Sequence, residues 1–225
     1  MKKVVQVFVI LLVLCLWAIS SEATSIFINE IHYDNVKRDA GEGIEIAGLA
    51  GVSLTGWSVV FYNGRNGQQY GRLSLSGTFS DQENGVGALS FLFPNIQNGK
   101  RGMDGYGDGM ALVDSNDAVV QFLSYEGSFR ATNGPADGLT SIDIGVSENR
   151  RTPVGHSLQL VGIGSVYEDF TWATHMESSY GEINNGQSIV TPVPEPSTVL
   201  MLTTGMVGLL VYRKRFFKGE NYVTK

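Results

Sequence analysis

Near the start of the 225-residue chain, six residues carry the side chains that metal-assisted phosphodiester chemistry uses: Asn29, Glu30, His32, Asp34, Glu42 and Glu45. Carboxylates and an amide can hold a Mg2+ ion with its substrate phosphates, and a neighbouring histidine can act as general acid or base. The alternation of side chains along a strand argues against that use. In "SIFINEIHYDN" Asn29 and Glu30 are expected on opposite faces, with Asn29 bonding backbone and Glu30 and Glu45 on wet faces. Asn29, Glu30, Glu42 and Glu45 are therefore read as surface residues, and no residue is assigned as catalytic.

A second acidic group, Asp104, Asp108, Asp114 and Asp117, falls in the Gly-rich stretch "DGYGDGMALVDSND". Hard oxygen ligands on turns suit Ca2+ outside a cell, and these four are the candidate ligands for the one cofactor considered. Their spacing departs from the EF-hand pattern, and "DSND" alone reads as a hairpin turn. There is no Gly-x-Ser-x-Gly segment, and His32, His156 and His175 lack the spacing of a triad or zinc site. Tyr62, Tyr70, Tyr106 and Tyr125 lie in or beside Gly-rich turns, where their rings could stack on sugars; core packing is the competing role.

The two ends of the chain explain its charge. Lys2 and Lys3 precede an apolar stretch from Val4 to Ile19, followed by Ser21, Glu22 and Ala23, the order of a secretory signal peptide cut after Ala23. The single cysteine, Cys15, lies in that stretch, so neither a disulfide nor a thiolate is expected in the exported part. From Thr24 to Val190, 9 Lys and Arg stand against 19 Asp and Glu, a net of −10, whereas the whole chain carries −6. A domain this acidic repels phosphate backbones, so no nucleic-acid partner is expected.

At the other end, "VPEPSTVLMLTTGMVGLLVYRKR" places two prolines around a glutamate, then an uncharged run from Val199 to Tyr212, then Arg213, Lys214 and Arg215. Those 14 residues make about 21 Å of helix against a hydrocarbon core of about 30 Å, short for a durable span. The basic cluster would hold its end of the run in the cytoplasm. Residues 191–225 thus read as a linker, a short transmembrane helix and a basic end.

The middle, residues 24–190, reads as one all-β domain. Glycines punctuate short strand-like segments, among them "GIEIAGL", "GWSVVFYNG", "GALSFLF", "GMALVD", "AVVQFLSYEG", "HSLQLVG" and "DFTWATH". Eight to ten strands separated by turn residues suggest a sandwich or barrel. Val59 and Phe61 alternate with Ser58, and Leu158 and Leu160 with Ser157 and Gln159, as expected for sheets that bury one face and wet the other.

Two resemblances follow from these residues. The Pro194-Glu195-Pro196 segment, short apolar run and Arg-rich end resemble the PEP-CTERM sorting signal of Gram-negative bacteria. That resemblance implies recognition by an exosortase, a membrane-embedded cysteine protease, then passage from the inner membrane to the cell surface or an extracellular polysaccharide matrix. "INEIHYDN", "GEGIEIAG" and "LTGWSVVFYNG" resemble the bacterial lamin-tail domain, which implies an immunoglobulin-like β-sandwich. The expected function is a non-catalytic exported protein that binds or scaffolds in the matrix, with exosortase, membrane and polysaccharide as partners. A Ca2+-dependent carbohydrate-binding module is the alternative, and a metal-dependent phosphodiesterase the third reading.

Overall fold

The computed structural model describes residues 26–99 and 107–190. The signal peptide, Asp104, Tyr106, the Pro194-Glu195-Pro196 segment, the Val199 to Tyr212 run and Arg213, Lys214 and Arg215 lie outside the described residues. Eleven strands follow one another: β1 (Phe27–His32), β2 (Gly43–Leu49), β3 (Ser58–Asn63), β4 (Gln68–Ser74), β5 (Val86–Leu92), β6 (Gly109–Val113), β7 (Val119–Ser124), β8 (Ile142–Asp143), β9 (His156–Gly164), β10 (Thr171–Glu177) and β11 (Gln187–Ile189). Among the described residues the one helical element is the 3-10 turn Tyr167–Asp169, and no helix is long and apolar enough to cross a membrane.

The strands form two sheets. The first runs β10-β9-β1-β2-β5, with β11 joined in parallel to β9; the second runs β4-β3-β6-β7-β8. All pairs are antiparallel except β9–β11 and β7–β8. One core is shared between them: Ile28, Ile31, Ile44, Ile46, Leu158 and Leu160 of the first sheet meet Val59, Phe61, Met110, Leu112 and Leu123 of the second. Gln121 of β7 reaches across to accept the Ile28 N–H at 2.9 Å. Tyr33 and Tyr125 stack with centroids 3.9 Å apart, and the Tyr125 hydroxyl donates to the Gln97 carbonyl.

Half-wetted strands lie toward the edges, in β4, the second half of β5 and β10. The inner strands β1, β2, β3 and β6 are buried on both faces, as are Ser157 and Gln159 of β9. The reason is that a loop crosses the outer face of each sheet. Over the second sheet, residues 126–141 bring Phe129, Ala131 and Ala136 onto Val60, Tyr62, Ala111, Val113 and Phe122, an apolar layer with Phe122 and Phe129 edge to face at 5.4 Å. The Tyr62 hydroxyl fixes this lid by accepting the Ala136 N–H at 3.0 Å. Over the first sheet, residues 178–187 form a lid of a different character.

Strand β3 ends in a tight crossing at Gly64. A Cβ there would fall on the carbonyl of Gly107 and against the Phe129 ring, so backbone, not a flexible side chain, occupies the space. Gly51 provides the contrast: its φ of +84° is left-handed, but nothing lies within 4 Å of the place a Cβ would take. Gly64→Ala is expected to cost about 3 kcal/mol or more through forced backbone displacement, and Gly51→Ala about 1–2 kcal/mol through φ strain alone. Urea unfolding of the two variants checks the order.

Candidate functional site

The acidic cluster at the start of the chain is assembled by a β-bulge. Ile28 pairs with Ile46 and Glu30 with Glu45, so Asn29 is the extra residue on β1 and has no opposite number on β2. The extra residue turns Glu30 to face Glu45 across the ladder and brings Asn29 beside both. Asn29 Nδ2 donates to Glu45 Oε1 at 3.0 Å. The opposite-face arrangement expected from simple alternation is overturned by this one inserted residue.

These residues are not at the surface. Asn29, Glu30 and Glu45 are fully buried, and Glu42 is 7 % exposed. The lid over the first sheet supplies their partners. Glu30 accepts from the hydroxyls of Ser178 at 2.7 Å and Ser179 at 2.9 Å, and from the Ser179 N–H at 3.2 Å. Glu45 Oε2 accepts the Gly181 N–H at 2.7 Å. Asn29 Oδ1 accepts from Gln187 Nε2 at 2.7 Å. Where the bulge takes β1 away from β9, Asn184 Nδ2 fills the gap, giving its hydrogens to the carbonyls of Asn29 at 2.9 Å and Leu160 at 3.0 Å. A side-chain amide thereby replaces the missing ladder bonds.

Among the described residues neither Glu30 nor Glu45 has an ion-pair partner. Burial is the main reason the Glu45 carboxyl is pushed up to about 8; the Asn29 and Gly181 donors oppose this, and the charges of Glu30 and Glu182 add to it. The Tyr180 hydroxyl, on the same lid, is pushed well up by burial and then by the charges of Glu30, Glu148 and Glu45.

His32, Asp34 and Glu42 belong to a second cluster. His32 Nδ1 lies 2.8 Å from Glu148 Oε1 and Nε2 lies 3.1 Å from the Ala40 carbonyl. Asn35 Nδ2 also lies 3.0 Å from Nε2, so the ring is held by Glu148 on one side and by Ala40 and Asn35 on the other. Burial alone would lower the His32 pKa, but the Glu148 hydrogen bond and charge outweigh it and the net direction is up. Glu148 Oε2 accepts the backbone N–H of Tyr33 at 2.6 Å and of Asp34 at 3.0 Å, so this glutamate caps the end of β1. Glu42 accepts the Ile96 N–H at 3.2 Å and is pushed up by burial.

The described members of the second acidic group, Asp108, Asp114 and Asp117, each have partners of their own. Asp108 is buried and accepts the N–H groups of Gly64 at 2.8 Å and Gly99 at 3.1 Å. Asp114 caps its own hairpin turn through the N–H groups of Asn116 and Ala118, both at 2.8 Å, which hold its pKa down. Asp117, at φ +65°, pairs with Arg72 at 2.8 Å. Among the described residues no three ligand-type side chains are grouped to hold a metal ion. The described tyrosines of that set are engaged by the fold: Tyr62 and Tyr125 are buried, and the Tyr70 hydroxyl accepts the Gln97 N–H at 2.9 Å. His156 sits on β9 opposite Glu177, and His175 is exposed at the β10 irregularity with φ +59°.

Sequence reasoning missed Glu148 and the lid residues Ser178, Ser179, Asn184 and Gln187. The available signal was the flanking of Glu30 and Glu45: each glutamate has isoleucine on both sides or at one remove, in "INEIHY" and "GIEIAG". Acidic residues inside apolar strands call for a polar cover, and "SSYGEINNGQS" is a polar run able to supply one.

The arrangement fixes a pH dependence. Glu45 holds its proton to about 8 in the folded chain against 4.5 for the free group. Its stabilising contribution is fully present below pH 4.5 and is lost as pH rises through 8. His32, also raised, acts in the same direction from 6.5 upward. Urea unfolding is expected to show stability falling between pH 5 and pH 8.5 by an amount on the order of a few kcal/mol, with a shallower decline in Glu45→Gln.

No curated protein and no solved structure matches the chain. One family model does, over a stretch just beyond the described residues: residues 192–215 match the PEP-CTERM protein-sorting motif. That stretch contains Pro194, Glu195, Pro196 and the Arg213-Lys214-Arg215 cluster, and it marks an exported protein sorted by an exosortase at the membrane.

Proposed function

We propose that the chain is a non-catalytic surface or matrix protein: a signal peptide over 1–23, a lamin-tail-type immunoglobulin-like β-sandwich over 24–190, and a sorting tail over 191–225. The observation that carries the non-catalytic reading is the saturation of its most chemistry-bearing residues. The oxygens of Glu30 and Glu45 accept hydrogen bonds from the protein itself, and both side chains are fully buried. A carboxylate that is to hold a metal and bind a phosphate must present lone pairs to a cleft, and these present theirs to a lid. The residues serve to close a domain whose task is display.

The two-sheet architecture supports the sandwich assignment, and the sorting motif supports a destination at the cell surface or in extracellular polysaccharide. Binding or scaffolding is the activity such a displayed domain performs. The purified chain is expected to leave DNA and phosphodiester substrates intact with Mg2+ or Ca2+ present. Hydrolysis that disappears in Glu30→Ala or Glu45→Ala would overturn the reading, and Ca2+-dependent signals on a glycan array would replace it with a carbohydrate-binding module.

The tail carries its own expectation. Replacing Pro194, Glu195 and Pro196 with alanine is expected to leave the protein at full length in the membrane fraction, measured by immunoblot of fractionated cells. Normal trimming and surface delivery of that variant would refute exosortase processing through these residues.

A further inference from the structure

The strand through which the chain leaves the domain is tied to the buried carboxylates by a two-step relay. Gln187, the first residue of β11, donates to Asn29 at 2.7 Å, and Asn29 donates to Glu45 at 3.0 Å. Asn29 and Glu45 are fully buried and Gln187 nearly so. In this direction Glu45 is the terminal acceptor. Turning both amides over keeps the heavy atoms essentially in place and reverses the relay: a protonated Glu45 donates to Asn29, and Asn29 donates to the Gln187 carbonyl oxygen, which is otherwise buried with no hydrogen-bond partner. The direction of the relay is therefore set by whether Glu45 carries a proton.

Loss of that proton leaves two carboxylates facing each other across the β1–β2 ladder. The groups around Glu45 offer little relief. Glu30 faces it from β1, while the lid contributes Tyr180 and Glu182. The paired residue on β5 is Ser90, and β9 contributes Gln159, neither of them ionisable. The imidazole of His32, further along β1, is committed to Glu148. Opening the lid to water is the available way to separate the charges from the low-dielectric interior.

We propose that residues 178–190 are a proton-controlled latch on the strand that leads into the sorting motif: closed while Glu45 retains its proton, and opening as that proton leaves. Burial and the facing Glu30 charge, which push Glu45 up to about 8, place the release in the neutral to mildly alkaline range. Among the described residues the last backbone bond is Val190 N–H to the Gly164 carbonyl at 2.8 Å, and the sorting motif begins at residue 192, so the latch adjoins the motif along the chain. Its bearing on sorting rests on the sorting role of residues 192–215, whereas the latch itself does not.

Hydrogen-exchange mass spectrometry on the full chain in detergent micelles, at pH 6 and pH 8.5 and corrected for intrinsic rates, tests the latch. Protection across 178–190 is expected to fall at least tenfold, consistent with a linkage of about tenfold per pH unit, while β3 stays protected. Glu45→Gln is expected to abolish the fall, and Glu30→Gln, which removes the facing charge, to reduce it; β3 protection reports whether each variant is folded. Equal protection of 178–190 at both pH values, a fall shared by β3, or an undiminished fall in folded Glu45→Gln overturns the proposal. If neither variant folds, the wild-type comparison of 178–190 with β3 decides alone.

Discussion

Burying two glutamates face to face on a sheet, with no cation paired to either among the described residues, is the constraint around which the first sheet is built. Each buried carboxylate carries a desolvation cost of several kcal/mol unless it is hydrogen-bonded or neutral. Glu30 meets that cost with two serine hydroxyls and a backbone N–H, and Glu45 with the Asn29 amide and the Gly181 N–H, while burial pushes its carboxyl up to about 8. Ser178, Ser179, Gly181, Asn184 and Gln187 are all drawn from one segment near the end of the domain. The lid and the carboxylates are thus one device, and the Asn29 bulge that aims Glu30 at Glu45 is its geometric origin.

The two lids of the molecule are held by different physics. The 126–141 loop closes over the second sheet by burying Phe129, Ala131 and Ala136 against Phe122, Val60 and Val113, a gain that grows with apolar area and is indifferent to pH. The 178–187 lid gains hydrogen bonds but must first strip water from carboxylates that water solvates well. Net gains from such exchanges are about 1 kcal/mol per bond, less whatever desolvation is left uncompensated. Closing the polar lid is therefore nearer to balance than closing the apolar one, and elements near balance are those that open locally while the rest of a fold stays intact.

That difference also explains what the sequence disclosed. The segment "GIEIAGL" is β2 to the residue, and the apolar alternation of β3 correctly puts Val59 and Phe61 into the main core. Alternation says that Glu45 and Ile44 point to opposite faces; it does not say that the polar face will be covered. The cover comes from about 150 residues away, as the Glu30 to Ser179 separation of 149 shows, and strand alternation does not encode it. The bulge was hidden for a related reason: Asn29 has none of the glycine signature that often flags one, and its role appears only when Asn184 is present to fill the gap it opens. Strands β8 and β11, of two and three residues, are too short to show a period. For the described aspartates of the Gly-rich stretch, composition is blind to direction. Asp108, Asp114 and Asp117 each face a different local donor.

The order of the chain gives the polar lid a position in time as well as in space. The first strand cannot complete its hydrogen bonding until the last segment arrives, because Asn29, Glu30 and Glu45 all take partners from residues 178–187. Closing contacts of that sequence separation come late in folding, since the entropy of the intervening loop must be lost first. The sorting motif follows within two residues of Val190. A chain that has closed its lid has been made up to the edge of its sorting motif. The lid's modest stability then matters for a specific reason: the element whose contacts form last is the one that stands immediately before the sorting motif along the chain.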